Sequence, residues 1–183
     1  MKLDGKYRVP LLLFVFYSLD MISSFMLDPT LAQYEMNPLA RNYGWGYAAA
    51  MFLLFFCGLS YWWLWSGRNL KLIPKVKKWE GWFVATFSGK GAAKRWLVAF
   101  GRILPPASVA MKAVLVVNNL AFIVMVKVIG LPGMISLKNS LGFSKTPMYA
   151  FYIGIFVSMI VLMLIAGLLA ARHMLGRLHR RQG

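Results

Sequence analysis

The sequence predicts an all-α membrane protein with four transmembrane helices and an amphipathic cytoplasmic segment, which lies in the membrane interface between the second and third helices. Hydrophobic residues make up 60% of the 183 residues and charged residues only 14%, whereas a soluble domain is about half apolar and about a quarter charged. The net charge of +16 comes from basic residues that flank long apolar runs, which is typical of membrane proteins. We therefore expect no nucleic-acid partner.

Four apolar runs are the predicted spans, and together they form one transmembrane domain over residues 1–183. They cover residues 10–27, 47–65, 106–129 and 147–171. Each run approaches the roughly 20 residues that a helix needs to cross about 30 Å of hydrocarbon. Pro10 and Pro147 suit the first turn of a helix, where no backbone donor is lost. Basic residues precede the first run, as in a signal peptide, but its length and Asp20 favour a retained helix.

The basic residues also predict the orientation of the chain. Outside the apolar runs, sixteen Lys and Arg residues fall on the side of both termini and of residues 67–104, and three fall on the other side. Basic residues are enriched on the cytoplasmic side of membrane proteins. We therefore expect both termini in the cytoplasm, and the protein in the cytoplasmic membrane of a bacterium or archaeon.

Residues 67–104 form the predicted amphipathic segment, in which basic and aromatic residues alternate in clusters. The residues concerned are Lys75, Lys77, Lys78, Trp79, Trp82, Lys94, Arg95 and Trp96. Such a mixture is typical of a segment that lies on anionic lipid, and we expect Trp82, Trp96 and Phe100 in the lipid. Either the segment docks on a specific lipid or protein partner, or it only anchors the chain to the surface of the cytoplasmic leaflet.

The first helix carries polar residues on one face, because Tyr17, Asp20, Ser24 and Asp28 recur at spacings of three and four. Asp20 lies about 10 Å below the outer end of this helix at 1.5 Å per residue. A carboxyl group at that depth must be protonated, paired or in contact with water. Ser23 or Ser24 could satisfy a neutral Asp20, whereas a charged Asp20 needs a partner or a wet cavity.

The third span offers partners for Asp20. Lys112 lies close to the cytoplasmic end of the span and is expected to extend its ammonium group to that surface. Asn119 lies near the middle, and Lys127 near the outer end. Depth therefore selects Lys127 or Asn119 as the partner of Asp20 and excludes Lys112.

The outer loop after the first span adds Glu35, Asn37 and Pro38. Asn37 followed by Pro38 is a favourable pair for the start of a helix, which would lead to Gly44. Glu35 would then lie near a helix N-terminus, where a negative charge is stabilised. The alternative is that these residues only start the helix.

These residues carry a resemblance to a known family. The order Asp-x-x-Ser-Ser from Asp20, Glu-x-Asn-Pro from Glu35, and Lys127 shortly before Gly130 resembles a family of small bacterial and archaeal membrane proteins of unknown function. Its pattern is Asp-x-x-Thr-Thr, Glu-x-Asn-Pro and an intramembrane lysine. Ser23 and Ser24 replace the threonines here, and the cytoplasmic loop is longer. The resemblance implies a four-helix membrane domain and no particular activity.

The sequence contains no catalytic signature, no cofactor motif and no spacing typical of a metal site. Cys57 is the one cysteine, and His173 and His179 do not share a helical face. We therefore favour a non-catalytic, accessory or structural subunit of a larger membrane complex over an enzyme that acts on lipid. The fourth span supports close packing with another subunit or a second copy through small residues, which are Ala166, Gly167, Ala170 and Ala171.

The alternative function is a conduit or sensor for an ion or small solute. Asp20, Lys127 and Glu35 would line an outward-facing polar pocket, with Asn119 nearby. Ionisable residues inside a membrane domain mark such sites. Four helices make a narrow bundle, so a pore would require several copies of the chain.

Overall fold

The computed structural model describes residues 5–30 and 38–182, and every regular element in this part of the chain is helical. Four helices are long and apolar enough to cross a membrane, over Gly5–Leu27, Leu39–Arg68, Ala92–Ile129 and Val157–Arg180. The prediction of an all-α chain with four such helices is confirmed.

The helices are α1 (Arg8–Leu27), α2 (Pro38–Arg68), α3 (Trp79–Phe87), α4 (Ala92–Ile123), α5 (Gly130–Ser140) and α6 (Met148–Gln182). A π-helical segment, Val124–Ile129, continues α4. Short 3₁₀ turns, Gly5–Tyr7 and Leu70–Leu72, precede α1 and follow α2. Among the described residues α2 begins at Pro38, and the helix is kinked at Gly44, where φ is 68°.

α4 is the central helix, because α1, α2, α3 and α6 all pack against it. α1 and α2 pack together through aromatic and aliphatic residues, chiefly Leu13, Tyr17 and Trp63. Met125, Met134 and Phe151 form a second core where α5 folds back on the π-helical segment. Residues 131–146 are rich in Gly, Ser, Pro and Lys, which is typical of a solvated turn region. Most of this segment is instead α5, and Met134 within it is buried.

α4 begins well before the predicted start of the third span. The prediction placed that start at residue 106, but the helix begins at Ala92 and continues through Pro105 and Pro106. Each proline removes one backbone hydrogen bond to the residue four positions earlier and usually bends or breaks a helix. Here Pro105 is fully buried, and α1, α2 and α6 all pack against α4. Tertiary packing therefore outweighs the local preference for a break.

The predicted amphipathic segment does not simply lie along a surface. Its residues form a layer in which α3, the start of α4 and the end of α6 pack together. α3 packs on the first turns of α4, and Trp82 is fully buried in a core with Val98, Ala99 and Leu178. The expectation that Trp82 inserts into lipid was wrong, because the start of α4 and the end of α6 cover it. Trp96 is 43% exposed and Phe100 is half-buried.

Arg95 was expected at the lipid interface, but in the structure it joins the first turns of α4 to the end of α3. Its guanidinium donates hydrogen bonds to the carbonyl oxygens of Thr86, Ser88 and Lys90 at 3.3, 2.6 and 2.9 Å. These carbonyls lie at and just beyond the end of α3, where backbone acceptors lack helical partners. Lys75, Lys77, Lys78, Trp79 and Lys94 are exposed, so they remain available for an interface with lipid.

The small residues of α6 serve packing within the chain. Gly167 is buried against α4, where an added Cβ would lie 3.0 Å from Sδ of Met111. Ala171 packs on the core that contains Trp82. Ala166 and Ala170 are half-buried on the same helix. At least some of these small residues therefore let α6 approach α4 of the same chain. The expected partner was another subunit or a second copy of the chain.

Candidate functional site

The polar residues of the spans meet along the contact between α1 and α4. We call this set the polar seam, and it consists of Tyr17, Asp20, Ser23, Ser24, Ser108, Lys112 and Asn119. The α1 residues recur at helical spacing, and so do those of α4, so each set forms one face of its helix. The two faces meet because Leu13 and Tyr17 of α1 pack beside Val109 of α4.

An ion pair lies at the middle of the polar seam. Nζ of Lys112 is 2.5 Å from Oδ2 of Asp20, and it also lies 4.7 Å from the centroid of the Tyr17 ring. The Lys112 and Asp20 side chains are 25% and 17% exposed. The ring face offers the ammonium a second favourable electrostatic contact. The pair is therefore enclosed but still reachable from one side.

Asn119 completes the polar surroundings of Asp20. Its Nδ2 lies 3.2 Å from Oδ1 of Asp20, 3.0 Å from Oγ of Ser23 and 3.2 Å from Oγ of Ser24. Asn119 is thus one of the two residues that were predicted, from their depth in the membrane, to be partners of Asp20. Further along the seam, the hydroxyl groups of Tyr17 and Ser108 are hydrogen-bonded at 2.8 Å. Ser108 was missed in the sequence, where an isolated serine near a predicted helix start carries no distinguishing signal.

Lys112, not Lys127, is the charged partner of Asp20, so that prediction was wrong. Lys127 is exposed and donates a hydrogen bond to the backbone oxygen of Met26. A cation there neutralises the negative end of the α1 dipole. The depth estimate assumed that the ammonium group of Lys112 extends to the cytoplasmic surface. In the structure it reaches Asp20 instead, while Lys127 lies beside Met26 at the end of α1.

A cavity of about 220 Å³ lies beside the ion pair, between α1, α2 and α4. Asp20 and Lys112 line it together with Tyr17 and Ser24, and α2 contributes a wall that includes Ala48 and Phe52. The space is large enough for several water molecules or for a small solute. Charged groups that line such a space keep part of their solvation, which lowers the cost of placing them in an apolar bundle.

Glu35 of the predicted pocket and Asn37 of the predicted polar cluster lie outside the described residues. Lys127 does not line the cavity beside Asp20. Within residues 5–30 and 38–182, no three His, Cys, Asp or Glu side chains come together as they do around a metal ion. Of the described residues of the predicted polar cluster, Asp20, Ser23, Ser24 and Asn119 come together and Lys127 does not join them. Lys112 takes the place expected for Lys127.

A second, larger cavity of about 910 Å³ lies at the end of the bundle where α1 begins and α6 ends. Basic residues from all four long helices line it. Arg102 of α4 stacks on Trp63, with 3.4 Å from its guanidinium carbon to the ring centroid, and donates a hydrogen bond to the Trp63 oxygen at 3.3 Å. No pattern in the sequence indicated this cavity, because its residues come from four distant segments.

In comparisons with known proteins, the chain matches no family model, no curated protein and no solved structure. The resemblance of the Asp20, Glu35 and Lys127 pattern to a family of small membrane proteins therefore stays a prediction.

Proposed function

We propose that this chain is a non-catalytic protein of the bacterial or archaeal cytoplasmic membrane that binds an ion or a small polar solute at the polar seam, as a conduit or sensor. One observation carries the proposal: the Asp20–Lys112 ion pair forms the polar wall of the 220 Å³ cavity. Ionisable residues inside a membrane domain are costly and usually functional.

Asp20 and Lys112 line the cavity, so each of them can exchange its partner for a solute that enters. A cation that enters can replace Lys112 at the carboxylate of Asp20, where the Ser24 hydroxyl is a further oxygen ligand. An anion can replace Asp20 at Lys112. Because the two charges neutralise each other in the empty site, no unpaired charge remains when the solute leaves. Such a site binds reversibly, as a conduit or sensor requires.

The first test asks whether water and charged reagents reach the cavity. The native Cys57 is replaced by Ser, and a single cysteine is placed at Ala48, which lines the cavity. In lipid nanodiscs, Ala48→Cys should react with a charged methanethiosulfonate reagent. The matched control is Leu54→Cys on the same helix, because Leu54 is 64% exposed, does not line the cavity, and should lie in lipid, where the charged reagent is excluded.

The second step adds candidate solutes during labelling. Sodium, potassium, chloride and glycine are tested separately, and the proposal expects at least one of them to slow labelling of Ala48→Cys by severalfold. The same solute should have no such effect when Asp20→Asn and Lys112→Met are combined with the probe. If Ala48→Cys reacts no faster than Leu54→Cys, the cavity is dry, the ion pair only joins two helices, and the proposal fails.

A second candidate function is the accessory or structural subunit of a membrane complex. The observation in its favour is the bare face of α6, where Val161, Leu164, Leu168 and Leu169 are exposed and apolar. Lipid covers such a face as readily as a partner helix does, and the burial of Gly167 against α4 removes part of the original support. Purification in a mild detergent, followed by identification of the chains that accompany the protein, distinguishes a complex from a single chain.

A further inference from the structure

The 910 Å³ cavity combines a basic entrance with an apolar wall. The basic residues are Lys6 from the 3₁₀ turn before α1, Arg8 from the start of α1, Arg68 from the end of α2, Arg102 from α4 and Arg177 from the end of α6. No acidic residue is found among the described residues that line it. Four of the five cations are arginines, whose planar groups bind phosphate oxygens with two parallel hydrogen bonds.

The order of residues along the helices separates the charges from the apolar wall. On α1 the basic residues come before Leu12, and on α2 Arg68 comes after Leu64. α1 and α2 run in opposite directions, so both basic groups lie at the same end. On α4 Arg102 comes before Val109, and on the oppositely directed α6 Arg177 comes after Met174. The cavity is therefore charged at one end and apolar towards the middle of the bundle.

Arg102 is held in place before any ligand arrives. Its guanidinium lies flat on the Trp63 ring and is hydrogen-bonded to the Trp63 carbonyl oxygen. Trp63 is itself fixed, because its Nε1 donates a hydrogen bond to the Lys6 oxygen at 2.8 Å. A guanidinium already fixed in this way loses little conformational entropy when it binds an anion.

We infer that this cavity binds one anionic phospholipid, with its phosphate among the arginines and an acyl chain along Leu12, Leu64 and Val109. Basic pockets between transmembrane helices on the cytoplasmic side bind anionic head groups, and the volume is within the usual range of ligand sites. A soluble phosphate compound would use the arginines but leave the apolar wall uncovered. The lipid site requires that the chain lies in a membrane. It does not depend on the proposed solute site, since none of the described residues lines both cavities.

The experiment counts lipids retained by the full-length protein in native mass spectrometry. The protein in detergent is titrated with palmitoyl-oleoyl phosphatidylglycerol, or with phosphatidylcholine that has the same chains. We expect one tightly retained phosphatidylglycerol and no comparable phosphatidylcholine. The double variant Arg68→Gln/Arg177→Gln, at two exposed positions, should weaken this retention about thirtyfold, equivalent to about 2 kcal/mol.

Two controls separate the cavity from general surface charge. Lys75→Gln/Lys77→Gln removes the same charge at exposed positions that do not line the cavity, and it should change retention less than about threefold, since surface charges act over a short screened range. Ala110→Phe keeps every charge but fills the apolar part of the cavity, and it should also lower retention.

Three results would overturn the inference. The first is equal loss of phosphatidylglycerol in the two Gln double variants, which would make the attraction unspecific. The second is equal retention of phosphatidylcholine. The third is competition by glycerol 3-phosphate at the same concentration as phosphatidylglycerol, which would make the ligand a soluble phosphate.

Discussion

At the scale of residues, the ion pair between Lys112 and Asp20 joins neighbouring faces of α1 and α4. Tyr17 meets Ser108 on one side of the pair, and Ser23 and Ser24 meet Asn119 on the other. The hydrogen bonds from Asn119 and the Tyr17 ring leave each charge with more than one favourable contact. Loss of one partner would leave an enclosed charge without its counterion, which is costly.

The first prediction is a coupling between Asp20 and Lys112. Asp20→Asn and Lys112→Met should each lower the free energy of unfolding in detergent, because each leaves one charge unpaired. The double variant should recover part of the loss, with a coupling energy of about 1–3 kcal/mol. Thermal unfolding of the four proteins, followed by intrinsic Trp fluorescence, measures the cycle.

Lys127→Met is the matched control, since the structure places this lysine on the Met26 carbonyl oxygen and not on Asp20. Its effect should add to that of Asp20→Asn within about 0.5 kcal/mol. A cycle in which Lys127 is coupled to Asp20 and Lys112 is not would contradict the arrangement described above.

The sequence predicted Asp20 as the central residue of the site, because an acidic residue inside an apolar run has few explanations. Its partner was not predicted. The relative height of two helices depends on their tilt and on how far each extends beyond the hydrocarbon, and a single sequence contains neither quantity. Asn119 was expected within reach of Asp20, and its Nδ2 lies 3.2 Å from Oδ1 of Asp20.

At the scale of elements, the contact between α2 and α4 depends on Gly101. An added Cβ at this position would lie 2.6 Å from Cδ1 of Trp62 and 2.8 Å from Cβ of Ser66. Trp62 cannot easily move away, because its Nε1 donates a hydrogen bond to the Leu97 oxygen at 2.9 Å. Gly101 therefore sets how closely α2 approaches the part of α4 that precedes Pro105.

The second prediction follows from that contact. Gly101→Ala should destabilise the protein by about 1–3 kcal/mol, as overpacking does, although alanine favours helix formation. The control is Gly58→Ala on α2, where an added Cβ meets nothing within 4 Å, and which should be neutral or stabilising by about 0.5–1 kcal/mol. Thermal unfolding of both variants under the same conditions gives the comparison. Equal stability of the two variants would show that α2 and α4 can move apart without loss of stability.

Helix starts at proline illustrate what the sequence could predict. Pro38 lies in α2, where the described part of that helix begins, in agreement with the expectation that proline suits a first turn. The same rule failed at Pro106, because α4 continues through both prolines, of which Pro105 is fully buried. Trp82 was misplaced for a related reason. An amphipathic pattern shows that one face is apolar, but not whether lipid or protein covers it.

At the scale of the whole molecule, the two ends of the bundle differ in chemistry. One end carries the basic cavity and the layer formed by α3, the start of α4 and the end of α6. The other end carries α5 and the core around Met134. Trp82 packs on Leu178, so α3 and the end of α6 must lie on the same side of any membrane that the chain crosses.

The last prediction concerns which side that is. The charge asymmetry predicts that α3 and both termini face the cytoplasm. In intact cells that produce the Cys57→Ser protein, a membrane-impermeant maleimide should label Asn139→Cys, an exposed position on α5, and not Lys78→Cys, an exposed position before α3. Both should react once the membrane is permeabilised, which shows that Lys78→Cys is reactive but shielded. Labelling of Lys78→Cys alone in intact cells would reverse the orientation, and the basic cavity would then face the outer leaflet.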